Sequence, residues 1–87
     1  MNMLEAARET LALARESNLP NCEFDESPEL NYAHLHEMVK KMETGEFSEG
    51  KMGRWLGWIQ AAVVYMSLSL DEPITLEQMK EINRRWN

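Results

Sequence analysis

Lys51, Arg54, Trp58 and Tyr65 are the residues of this chain whose types and spacing suit chemistry. At about 100° per residue they share one helix face with Ala61. An ammonium and a guanidinium can neutralise phosphate, and an indole or phenol can stack on a base. Both cations lie within the first two turns after Ser48, where unpaired backbone N–H groups and the positive dipole end favour an anion. The same dipole disfavours cations there, by a few tenths to about 1 kcal/mol. That cost fits an anionic partner. It fits equally a plain surface on which the rings pack and the two cations pair with nearby Glu.

The helix that must position these residues, Ser48 to about Leu70, carries two further faces. Met52, Trp55, Leu56, Ile59, Ala62, Val63 and Met66 form a broad apolar one. Gly53, Gly57, Gln60 and Val64 form another, nearly opposite and made mostly of small groups. So little of the helix is left to solvent that it is expected to be covered on several sides, as a central helix and at a subunit contact. Each Gly costs up to about 1 kcal/mol of helix stability relative to Ala. Close approach by another helix, of this chain or of a second subunit, is the expected compensation.

The chain predicts three other helices and no strand. The first spans about Asn2 to Ser17 on a Leu4, Ala7, Leu11, Ala14 stripe and ends at Asn18-Leu19-Pro20-Asn21. The second starts at Ser27-Pro28-Glu29, buries Leu35, Met38, Val39 and Met42, and stops at Gly45. The last opens on Thr75 and Gln78 at capping-box spacing and on Ile74 and Met79 at staple spacing. Its stripe is Met79, Ile82 and Trp86, with Trp86 a hydrophobic anchor. The expected fold is all-α: a single domain, residues 1–87, built as a small bundle of about four helices around a central antiparallel hairpin of the second and third.

Composition narrows the function classes. The net charge is −6, and through Glu37 eight acids face only Arg8 and Arg15. Such a balance argues against nucleic acid as a partner and leaves any anion site to the C-terminal half. DNA reading by Lys80, Arg84 and Arg85 lacks a helix-turn-helix pattern. One Cys, no secretory start and no long apolar run point to a reducing cytoplasm and no membrane. His34 and His36 point about 160° apart on a helix and cannot chelate one ion, so no metal and no cofactor are expected. Cys22, in an acidic connector, is a poor nucleophile. No catalytic constellation is present, and the expectation is a protein that is not an enzyme.

The segment Lys51-Met52-Gly53-Arg54-Trp55-Leu56-Gly57-Trp58-Ile59-Gln60, followed by Thr75-Leu76-Glu77, resembles a family of small proteins of tailed bacteriophages and prophages. That family shares a Lys-x-x-Arg-Trp-Leu-Gly-aromatic-x-Gln helix start and a Thr-(Ile/Leu)-Glu/Asp helix. The resemblance covers about Leu35 to Arg85 and implies a phage accessory protein in the host cytoplasm, with no catalytic residues to carry over. The resulting expectation is a homo-oligomeric binding protein with an anti-defence role. It would sequester a nucleotide-type signal through Lys51, Arg54, Trp58 and Tyr65, while Gly53, Gly57 and Gln60 serve helix or subunit packing. Two alternatives stand beside it. One is an inhibitor of a host protein acting through acidic residues such as Glu23, Asp25 and Glu26; the other is a structural assembly protein with no ligand.

Overall fold

A computed structural model describes residues 1–19 and 31–87. The expected connector Cys22 to Ser27, the Pro20-Asn21 stop and the Ser27-Pro28-Glu29 helix start lie outside the described residues. Among the described residues four helices form: α1 (Met3–Glu16), α2 (Tyr32–Met42), α3 (Glu49–Ser67) and α4 (Leu76–Arg85). The all-α bundle expected from the sequence is what the chain adopts.

Local signals set most of the helix ends. At α1 the Asn2 side chain accepts from the Glu5 amide at 3.1 Å, and Asn18 leaves the helix at φ 66°, a left-handed conformation that Asn tolerates. Beyond α2, Gly45 takes φ 76°, as its role as a stop requires. Ser48 caps α3 by accepting from the Lys51 amide at 3.2 Å. Thr75 and Gln78 close the reciprocal capping box of α4, and the staple residues Ile74 and Met79 are both buried. α2 begins at Tyr32, after extended backbone at Asn31. One end differs from expectation. α3 ends at Ser67 rather than near Leu70, because the Ser67 hydroxyl takes a new partner: it accepts from the Ile74 amide at 2.8 Å while donating to the Val64 carbonyl at 2.7 Å. That small knot turns the chain directly into α4.

Packing centres on α1, which meets all three other helices and meets α3 most extensively; α2 also packs on α3. The reason lies in side-chain size. Ala6, Ala7 and Ala14 are fully buried on α1, so its face is low and admits the Leu56, Ile59, Ala62, Val63 and Met66 face of α3 closely. Leu35, Met38, Val39 and Met42 of α2 and Met79 and Ile82 of α4 complete the core.

One buried polar cluster crosses this apolar core. Gln60 Nε2 donates to Asn83 Oδ1 at 2.8 Å and to the Thr10 hydroxyl at 3.3 Å, while Asn83 Nδ2 donates back to Gln60 Oε1 at 3.2 Å. Thr10 in turn donates to the Ala6 carbonyl at 2.8 Å. Gln60 thereby ties α3 to both α1 and α4, and no buried polar side-chain atom among the described residues is left unsatisfied. A second tie closes the chain ends. Glu9 accepts from the Trp86 indole at 2.9 Å and from the Arg85 guanidinium, and the Asn2 amide donates to the Trp86 carbonyl at 2.7 Å. Trp86 is the anchor expected of it, through its N–H as well as its ring.

A double-mutant cycle on Gln60→Ala and Asn83→Ala, followed by chemical denaturation, should return a favourable coupling of about 0.5–3 kcal/mol. Each single variant should cost about 1–3 kcal/mol, because it strands a polar partner. Glu9→Ala should leave the global fold in place but speed amide exchange at Asn2, the donor that closes the termini.

Candidate functional site

α3 turns its four chemistry-bearing residues to different tasks. Lys51 does not join Arg54. Its ammonium lies 4.1 Å from the Phe47 ring centroid and 5.3 Å from that of Trp55, and those two rings meet edge to face at 4.6 Å. A cation over an aromatic pair is a stable resting place worth about 0.5–1 kcal/mol at a surface. Phe47 comes from the connector before α3, which is why the spacing within α3 did not reveal it.

Arg54 and Trp58 instead line an open cleft of about 530 Å³ between α2 and α3, together with His34, Glu37, Met38, Lys41 and Trp55. The volume falls within the ~300–1,000 Å³ range of small-molecule sites. Met38 forms buried wall, and the two indoles supply flat apolar surface. Lys41 stands in the last turn of α2 and Arg54 near the start of α3, so two cations from different helices converge on one opening. The Arg54 guanidinium leans back toward Gly50, one turn earlier, where a Cβ would sit 3.7 Å from it. Neither Lys41 nor Arg54 forms an ion pair with a carboxylate among the described residues. The acid on the rim, Glu37, is 3.6 Å from Lys40.

Other cations are committed elsewhere. Arg8 bonds Glu5 and lies 3.3 Å from Glu43; the Glu5 hydrogen bond foremost raises its pKa further above the ordinary guanidinium value. Arg84 is held in the same way by Glu81. Arg15 donates to the Tyr32 hydroxyl at 3.1 Å. Lys41 was not among the expected site residues, since nothing in the sequence of α2 says that its last turn will meet the first turns of α3.

Tyr65 lies two turns beyond Trp58 and outside the cleft; with Trp58, Ala61 and Ala62 it borders a second, shallow apolar depression of about 260 Å³. The small-residue face also divides. Gln60 is buried in the polar cluster. Gly53 sits under α1, where an added Cβ would meet the Met3 sulfur at an ordinary 3.6 Å. Gly57 is exposed, and among the described residues an added Cβ there would meet nothing within 4 Å. Contrary to the expectation of a helix covered on several sides, Arg54, Gly57, Trp58, Ala61, Tyr65 and Leu68 are all exposed. His34, considered for the buried side with Met38, is exposed as well.

Among the described residues, no group of three His, Cys, Asp or Glu is placed to hold a metal, and no helix is long and apolar enough to cross a membrane. The arrangement can bind: two cations for an anion, two indoles and a thioether for a flat apolar group. Comparison with protein-family models, curated proteins and solved structures finds no match to the chain.

Proposed function

We propose that this chain is a non-enzymatic binding protein that sequesters a small nucleotide-type anion in the cleft between α2 and α3. As a phage accessory protein, it would thereby remove a signal on which a host defence depends. The observation that carries this reading is the convergence of Lys41 and Arg54 on a cleft walled by Trp55, Trp58 and Met38. A phosphate between the two cations would gain charge-assisted hydrogen bonds, and a base would stack on indole, each contact being worth about 1–3 kcal/mol. The N-terminal half, with its excess of acids, repels polyanions and so favours a small ligand over a nucleic-acid chain. Lys51 drops out of the set named from the sequence, and Lys41 takes its role.

The test is a fluorescence titration with adenosine and guanosine monophosphates and with dinucleotides, since two of the three Trp line the cleft. Saturable quenching by at least one of them is expected. Lys41→Ala combined with Arg54→Ala should weaken it by about tenfold or more, while Lys51→Ala stays within about twofold. No response to any nucleotide, or a double variant that binds like the parent protein, would contradict the reading.

A further inference from the structure

We propose that the cleft between α2 and α3 selects guanine over the other bases, with the Glu37 carboxylate reading the base edge. The inference rests on the cleft reading above and deepens it. It starts from an acid that a plain anion site would not want. Lys41 and Arg54 bring positive charge to the cleft, yet Glu37 lines it too. A carboxylate near a bound phosphate costs affinity, so a site needing only negative charge would be better without it.

The charges are sorted along the cleft. His34, Glu37, Met38 and Lys41 recur on α2 at i, i+3, i+4 and i+7, one face of a helix. Lys41 lies in the last turn of α2, next to the connector through Gly45 that leads into α3. The Arg54 guanidinium leans toward Gly50, and so toward that same connector end. Glu37 stands one turn back from Lys41, about 6 Å along the helix axis, with His34 a further turn on. The cleft is thus positive at its connector end and negative beyond it. A nucleotide whose phosphate sits between Lys41 and Arg54 has its base directed toward Glu37.

Which base suits that position follows from hydrogen-bond chemistry. An ionised carboxylate offers acceptors only, on two oxygens side by side. Guanine alone among the common bases presents two adjacent donors on its pairing edge, N1–H and the 2-amino group. Adenine and cytosine set their amino group beside a ring nitrogen that accepts, which a carboxylate oxygen repels. Uracil and thymine offer one donor between two carbonyls. Glu37 can turn to this task because its hold on Lys40 is slight. The two are 3.6 Å apart on one helix, and both side chains are more than half exposed, so the pair contributes little.

Isothermal titration calorimetry on the full chain with guanosine, inosine and adenosine monophosphates tests the assignment. The guanosine nucleotide should bind about tenfold or more tightly than the adenosine one, the scale on which a bidentate edge contact discriminates. The inosine nucleotide keeps N1–H but lacks the 2-amino group, and should fall between them. Glu37→Gln should bring the guanosine nucleotide down to the adenosine level, while the adenosine nucleotide binds as well as before or better. That split separates base reading from a general loss of the site, and circular dichroism should be unchanged because Glu37 is exposed. Lys40→Ala, which removes only the ion-pair partner, should preserve the preference. Equal affinities for the guanosine and adenosine nucleotides, or a preference that survives Glu37→Gln, would overturn the guanine assignment and leave the cleft reading standing. Failure of all three to bind would overturn both.

Discussion

The rotation of α3 about its own axis is the constraint on which the molecule depends. A 19-residue helix with apolar groups on nearly every side has several ways to bury itself. Hydrophobic burial is non-directional and would not choose among neighbouring rotations. The amide of Gln60 chooses. It is buried, so it must be hydrogen-bonded, and only one rotation lets it reach Thr10 on α1 and Asn83 on α4 together. With Gln60 inward, Arg54, Trp58, Ala61 and Tyr65 must face outward, since they lie on the far side of the same helix. The core and the exposed face of α3 are thus oriented by one side chain.

The small face of α1 supports that choice. Fully buried Ala6, Ala7 and Ala14 let α3 sit close enough for a Gln side chain to span to Thr10. A larger side chain at any of these would push α3 outward and stretch the cluster, because packed interiors transmit added volume as backbone shifts. The cleft follows from the same geometry. α2 reaches α3 near the latter's first turns, which brings Lys41 and Arg54 to one cleft, while beyond Trp58 the outward residues Ala61, Tyr65 and Leu68 of α3 are exposed.

Features encoded within a few residues were legible in the sequence. Ser48, Thr75 with Gln78, Gly45 and the Leu35 to Met42 stripe each act locally, so spacing alone located them. The end of α3 was misplaced because Ser67 is held by Ile74, seven residues on, and a lone Ser does not announce such a partner. The lining of the cleft was legible in half. Arg54 and Trp58 stood out because one helix carries both. Lys41 did not, and the contact of Lys51 with Phe47 was not legible because that ring precedes the helix. Glu9 and Trp86, 77 residues apart, belong to the same class of tertiary pairing. Of the three faces of α3, the broad apolar one supplies its core contacts, whereas the small-residue face and the basic-aromatic face each divide between buried and exposed surroundings. Which parts meet solvent was not legible, since that depends on how many neighbours a chain of this size can supply.

The most direct measurement is an NMR titration of the three Trp indole N–H resonances with adenosine monophosphate. Trp55 and Trp58 line the cleft, whereas Trp86 is bound to Glu9 at the closure of the chain ends. The account predicts saturable shifts of the Trp55 and Trp58 signals while that of Trp86 stays in place. Equal movement of all three, or of none, would contradict it.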